Sequence, residues 1–294
     1  MNAICVAATR QQSHHTNGLI TLQIECPEFL HAQLLRHRRA SPNWVSHRVG
    51  NIAAHLSYHL PEIWYAPAKG MQTGGPLPRW KQFIVRRIAA VCNAGNRLAV
   101  CMLTRLGACA SQASRYNNHT HEMIGIITAT EPAWAGLLAL RLASDADPEM
   151  RVLATLIEAA LDRPEWRVSP YHLPFYDATL DGGQPILDTI KVCAARIARV
   201  SWGSAGRQAG DLRLGARLIR DKHWSPFDQC AVWKVNRELR ISPICSLPED
   251  VVWSGDTEGL WRSWAGWLPA RQLFDTTPAF SLDRMGVGQL PLVA

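Results

Sequence analysis

Charge is scarce in this sequence: Asp, Glu, Lys and Arg make up 19% of its 294 residues. The shortage is mainly acidic, with 24 Asp and Glu against 31 Lys and Arg, leaving a formal net charge of +7. No two of the eight cysteines stand in a C-x-x-C pair, which argues against a zinc ribbon or a thioredoxin-like motif. A chain of this size needs no disulfides, so the thiols read as buried or free in a reducing compartment, and a cytoplasmic protein is expected. No apolar run approaches the ~20 residues of a membrane span, which excludes a membrane partner. The opening MNAICVAATRQQSHH has a six-residue apolar run with no Lys or Arg before it, unlike a signal peptide. Internal repeats and low-complexity tracts are absent too. The 47% hydrophobic content excludes a disordered tail, because it supplies enough apolar surface for a core.

What is present is arginine, with twelve tryptophans beside it. A basic balance suits an anionic ligand, and Arg is the residue for planar, bidentate recognition of phosphate or carboxylate.

Period-two alternation over Leu19 to Glu25 predicts a strand, and Pro27 opens a helix predicted to run to about Arg39. Residues 41–48, polar and holding Pro42, read as a loop; 49–76 read as irregular. Helical periodicity returns over 77–109, and EMIGIITAT (122–130) reads as a strand. Trp134, Leu137, Leu138 and Arg141 share one helical face. The next helix starts with Asp147 as N-cap and Pro148 at its first position, and its predicted apolar face is Val152, Leu153, Leu156, Ile157 and Ala160. Turn-rich 162–184 follows, then a helix, or a helix plus a strand, over 188–200, a helix over 212–221, a strand over 231–241 and a Trp-rich helix over 258–273. Strands mixed with helices make the class α/β or α+β.

Three segments carry candidate chemistry. Gln33 to Arg48 is a predicted helix end loaded with cations and followed by a loop of donors. Its four Arg and two His within thirteen residues exceed what the helix dipole needs, and suit a phosphate cradle. Thr128 to Arg151 holds Arg141 on an otherwise apolar stripe. Its charge calls for a partner, either a carboxylate such as Glu149 or a ligand. The third comprises Ala198-Arg199-Val200-Ser201 and His223-Trp224-Ser225-Pro226-Phe227-Asp228-Gln229.

Together these segments resemble the flavin-dependent thymidylate synthases. Arg36, His37, Arg38, Ser41, Asn43, Ser46 and Arg48 match the family's Arg-His-Arg-x-x-Ser run and its extension. Leu140, Arg141, Ser144, Ala146, Glu149 and Arg151 look like its Leu-Arg-x-x-Ser-x-Ala-x-x-Glu-Ile-Arg pair, and residues 198–201 and 223–229 like its Ala-Arg-Val-Ser and His-x-Ser-Pro-Phe-Glu-His elements. In the commoner enzymes the last two precede the Arg-His-Arg run. Here they follow it, so the order looks circularly permuted, as in a phage-associated branch. The resemblance covers residues 19 to about 233, with 49–110 loosely matched as a partly helical insertion in which Gly70-Met71-Gln72 resembles the permuted branch. One domain over 1–294 is implied, with 234–294 as a Trp-rich C-terminal extension carrying Trp261, Trp264 and Trp267.

The resemblance implies a central sheet with flanking helices, and transfer of a one-carbon unit from methylenetetrahydrofolate to C5 of dUMP. The reductant is FADH2, itself reduced by NADPH. Arg36, His37, Arg38, Ser225, Thr130 and Gly136 would lie against FAD, with Ser201, His223 and Asp228 further flavin-side candidates. Gln33, Arg36, Ser46, His47, Arg48 and Arg115 would hold the nucleotide. Trp44 would stand beside the base, and Arg141 would face the pyrimidine edge as the catalytic residue. No metal and no cysteine nucleophile are implied, and a homo-oligomer, a tetramer, is expected because the family builds each flavin site from several subunits. Departures stand at Trp44 (Glu in the common form), at Thr130 and Gly136 (two Asn), and at Asp228 and Gln229 (Glu and His). The alternatives are C5 methylation or hydroxymethylation of dCMP or dUMP for DNA modification, a catalytically dead or structural paralogue, and a nucleic-acid-binding protein, supported only by the basic cluster and Trp44.

Overall fold

The computed structural model describes residues 1–11, 14–45, 57–68, 73–117, 119–200, 208–233, 264 and 266–274. Two long strands, β1 (Asn2–Gln11) and β2 (His14–Pro27), pair antiparallel at the start of the chain. The pleat of β2 points Ile20, Leu22 and Ile24 to one face and Leu19 and Thr21 to the other, and all five are buried. β2 is therefore covered on both faces from Leu19 to Ile24.

After α1 (Glu28–Leu35) comes β3 (Ala40–Trp44). A hairpin of β4 (Tyr65–Pro67) and β5 (Thr73–Pro76) precedes the long α2 (Arg79–Arg105), the short α3 (Ala110–Ala113) and a 3-10 turn over Ser114–Tyr116. β6 (Glu122–Thr130), α4 (Glu131–Arg141) and α5 (Pro148–Asp162) follow, then β7 (Trp166–Val168), β8 (Tyr171–His172) and α6 (Ala178–Asp181). The chain continues through α7 (Ile186–Arg199), α8 (Gln208–Arg220), a 3-10 turn over Phe227–Gln229, β9 (Ala231–Trp233), β10 (Trp267–Pro269) and α9 (Arg271–Phe274).

The main sheet has the order β3-β6-β2-β1-β7, antiparallel except for the parallel β1–β7 pair. One face is covered by α1, α4 and α5 through Leu30, Leu34, Trp134, Leu137, Leu153 and Ile157. The Trp134 indole donates to the Ile20 carbonyl at 3.1 Å and pins α4 to β2. Against the other face pack α7 and the 3-10 turn, through Ile190, Cys193, Ile197 and Phe227 around Ile126. A three-stranded sheet, β10-β9-β8, extends that layer. Mixed α/β architecture with a central sheet is thus observed.

Several expectations need correction. α1 stops at Leu35, so the cations from Arg36 to Arg39 lie on the turns beyond it. Residues 40–44 are a strand rather than a loop. Pro42 holds Ser41 extended, and β3 lies at the sheet edge, where a missing N–H is tolerated. Part of 49–76 is the β4–β5 hairpin. Residues 188–199 are wholly helical. Residues 267–269, read as helix, form β10, and 258–263 lie outside the described residues. Asp147 does cap α5, accepting from the Met150 N–H at 3.0 Å, but Val152 is exposed and Met150 takes its place in the core. Among the described residues, no helix is long and apolar enough to cross a membrane.

A row of polar side chains runs through the second core. His172 is fully buried; its Nδ1 bonds Thr9 Oγ1 at 2.9 Å and its Nε2 bonds Thr21 Oγ1 at 2.7 Å. Thr21 in turn meets Thr128 at 2.6 Å. Burial holds the imidazole neutral, lowering its pKa to about 3 from an ordinary 6.5. The unfolded chain therefore binds a proton that the folded chain refuses. The associated stability is present above pH 6.5 and is lost as pH falls from there toward 3, at about 1.4 kcal/mol per pH unit. Urea unfolding of the native chain and of His172→Gln should show this loss in the native chain and a flatter dependence in the variant.

Candidate functional site

Two segments about a hundred residues apart meet over the first face of the sheet. α1 carries Gln33, and the turns after it carry Arg36, His37 and Arg38. α4 buries Trp134 and Leu137 and places Arg141 at its last turn, on the same stripe. The Arg141 guanidinium bonds back across the gap. Its Nε donates to His37 Nε2 at 3.0 Å, its Nη1 to Gln33 Oε1 at 3.4 Å and its Nη2 to the Gln33 carbonyl at 3.2 Å. The carboxylate considered from sequence, Glu149, instead bonds the ring of His59. Arg141 makes no ion pair with a carboxylate among the described residues.

The local electrostatics follow. His37 is half-buried, and burial first and the neighbouring Arg141 second push its pKa below the ordinary value. A neutral imidazole is what Arg141 requires, because only an unprotonated Nε2 accepts its hydrogen bond. Burial lowers the Arg141 pKa as well, followed by repulsion from Arg36, with Asp147 acting the other way. Arg36, Arg38 and Arg39 are exposed and make no ion pair among the described residues. The result is one guanidinium fixed in plane beside three uncompensated cations, which suits a planar, anionic ligand.

The third motif approaches the first from the opposite face. Gln229 is buried; its Nε2 donates to Ser41 Oγ at 3.1 Å and to the Ser225 carbonyl at 3.4 Å, while its Oε1 is buried without a partner. Thr128 Oγ1 donates to the Gln229 carbonyl at 3.4 Å, so polar contacts run from Ser41 through Gln229, Thr128, Thr21 and His172 to Thr9. Asp228 faces Arg271 at 3.8 Å. Arg199 is taken up structurally, with its Nε on the buried Asp211 at 2.7 Å.

The remaining candidates are more dispersed. Thr130 ends β6 with its side chain buried and its hydroxyl without a partner. Gly136 is exposed on α4, Arg115 on the first 3-10 turn, and His223 and Ser225 lie exposed ahead of the second. Trp44, expected beside a base, is packed inward. Its ring meets His31 edge-on at 4.7 Å and lies over Gly125, where a Cβ would come within 2.6 Å of it. Ser46, His47, Arg48 and Ser201 lie outside the described residues, as do Gly70, Met71 and Gln72. Burial pushes the Cys26 and Cys193 thiols up to about 12 and Cys230 well above its ordinary value, so none of these three serves as a thiolate. Among the described residues no group of His, Cys, Asp and Glu is placed to hold a metal ion.

Sequence reasoning passed over His172 and its threonine partners. A lone His in a Pro-rich stretch and single Thr positions in apolar strands carry no motif, and they become visible only once the sheet brings them together. A cavity of about 450 Å³ opens at the Thr9 end of this row, between Arg167, Tyr176 and Gln184, and contains none of the motif residues.

No family model and no curated protein matches the sequence. Among solved structures, the chain is similar to a UMP/dUMP methylase, PolB from Streptomyces cacaoi, bound with 5-Br UMP, at 20% identity and a TM-score of 0.45 over 49% of this chain and 67% of that one. The same enzyme bound with 5-Br dUMP gives 21% identity and a TM-score of 0.42 over 49% and 65% of the two chains. The likeness thus spans about half of this chain and about two thirds of the other.

The geometry predicts the titration of His37. Followed by NMR, its imidazole should titrate below the ordinary histidine range. Replacing Arg141 with Gln should raise that pKa only partway, because burial, the larger cause, remains.

Proposed function

We propose that the chain is a pyrimidine nucleotide C5 methyltransferase of the flavin-dependent thymidylate synthase type, with dUMP as substrate. The observation that carries this reading is the convergence of Arg141 on Gln33 and His37, with Arg141 free of the carboxylate that would have given it a merely structural use. These are the residues that the motif resemblance puts at the nucleotide and flavin.

The residues present fit an anionic flavin cofactor. Arg36 and Arg38 offer exposed charge without carboxylate partners among the described residues. In this reading Arg36, His37, Arg38, Thr130, Gly136 and Ser225 hold FAD, with Ser201, His223 and Asp228 nearby. When bound, FAD supplies the hydride that reduces the transferred carbon, with NADPH and methylenetetrahydrofolate as co-substrates.

The protein's own part is binding and electrostatics. Gln33, Ser46, His47, Arg48 and Arg115 hold the nucleotide, chiefly its phosphate. Arg141 faces the pyrimidine edge, where its guanidinium stabilises negative charge on the ring as C5 becomes nucleophilic. His37 and Gln33 fix the plane of that guanidinium before the substrate arrives, so little reorganisation accompanies the step. The motif order, with 198–201 and 223–229 after 36–48, is that of a circular permutation, and the active form is a homotetramer.

Purified protein incubated with excess FAD should become yellow and retain a flavin spectrum after desalting. With NADPH and methylenetetrahydrofolate it should convert dUMP to dTMP, and dCMP assayed in parallel with product mass measured reports base preference. Arg141→Lys should keep fold and flavin and lose about a hundredfold in rate, equivalent to ~3 kcal/mol, because an ammonium does not reproduce the planar fork. A preparation that stays colourless, or near-normal turnover in Arg141→Lys, overturns the assignment.

A further inference from the structure

α2 docks on the body by one face only. Asn93 and Val100 are buried on that face, Thr120 Oγ1 donates to Asn93 Oδ1 at 3.0 Å, and Gln82 brackets the backbone of Trp64. The opposite face is largely apolar and, among the described residues, uncovered. Trp80, Phe83, Ile84, Ile88, Val91, Leu98 and Met102 all lie exposed there, Val91 at 72%. Together they present on the order of 800 Å² per copy, more than the largest patch of an ordinary monomer and close to what one partner contributes to a standard interface.

The spacing of this stripe is that of a coiled-coil seam. Ile84, Ile88, Val91, Gly95, Leu98 and Met102 alternate steps of four and three residues. We propose that this seam pairs with the same seam of a second copy of the chain, antiparallel, about a two-fold axis between Val91 and Gly95.

The stripe is complementary to its own reverse. Antiparallel pairing sets Ile84 against Met102 of the second copy, Ile88 against its Leu98 and Val91 against its Gly95, and the two-fold axis repeats these layers. Gly95 then has a use. A glycine in a helix interior costs about 1 kcal/mol relative to alanine, and within one copy nothing lies within 4 Å of where its Cβ would be. In the pair, its missing side chain receives Val91. The positions flanking the axis, Cys92 and Ala94, are also small and permit close approach.

The glycine layer selects the orientation, because parallel pairing would set Gly95 against itself and leave a gap in the seam. α2 carries Arg79, Lys81, Arg86, Arg87, Arg97 and Arg105 and no acidic residue. The antiparallel register sends the Arg86–Arg87 pairs to opposite ends of the seam and sets Arg87 beside Cys101 of the second copy; its outermost layers set Lys81 beside Arg105, so the pairing rests on the apolar layers between them. Basic residues around an apolar stripe also suit an anionic lipid surface. The small residues at the middle of the stripe favour a helix, since Gly95 and Ala94 add close approach between backbones and nothing to lipid contact. The pairing does not depend on which ligand the chain binds.

Light scattering on the full-length protein should give a mass that is a multiple of 32.7 kDa. The double variant Ile88→Glu, Leu98→Glu changes only exposed positions, so the chain still folds by circular dichroism, and its mass should fall at least twofold. A short bis-maleimide should link two copies through Cys92, which faces its own copy across the axis only in the antiparallel register, and Cys92→Ser should abolish that product. A monomeric native chain, an unchanged mass in the double variant, or the absence of a Cys92-dependent cross-link each overturns the proposal. So does a monomer that binds phosphatidylglycerol vesicles through this stripe.

Discussion

The antiparallel ladder between β2 and β6 is the constraint on which the candidate site depends. It runs from Leu19–Thr130 to Pro27–Glu122, about 27 Å along the strands. α1 leaves from one end of this ladder and α4 from the other, and both fold back over the same face. Their lengths, about 12 Å and about 16 Å, add up to roughly the length of the ladder. The two helices therefore bring their C-terminal ends together over its middle, and that is where Arg141 reaches Gln33 and His37. Neither helix needs any special feature beyond its length and its apolar stripe for this meeting to occur.

The same ladder organises the opposite face. Thr128 stands opposite Thr21 on one side and Ser41 on the other, so one register aligns three hydroxyls across β3, β6 and β2. His172 extends the row to Thr9, and Gln229 ties it to Ser41. A buried polar row in an otherwise apolar layer is costly unless each member is bonded, which makes the register of the sheet specific: a slip of one residue would turn every hydroxyl into the wrong core.

Much of this was legible in the sequence where the physics is local. The alternation of Leu19 to Glu25, the apolar run 122–130, the Asp147–Pro148 start of α5 and the long helix after residue 77 all follow from periodicity and caps. The Arg-His-Arg run and Arg141 stood out because cations at helix ends and on apolar stripes need partners. What escaped reading is decided by pairing. Residues 40–44 become a strand because β6 offers them an open edge, and 267–269 because β9 does. His172 stays hidden because its partners lie on two strands far away in the chain. Trp44 was singled out by the resemblance; its packing against His31 and over Gly125 is set by the β3–β6 pairing and carries no sequence signal.

The bond between Ser41 and Gln229 joins residues 188 positions apart. The β1–β2 hairpin closes over a few residues, and the β2–β6 ladder over about a hundred. Contacts across such separations form slowly, because the chain must lose the entropy of a long loop before they return anything. The longest of these loops is closed by the layer that carries Gln229. In synthesis from the N-terminus, every residue of the Arg141 cluster precedes the residues of α7 and the Phe227–Gln229 turn that cover the far face of the sheet.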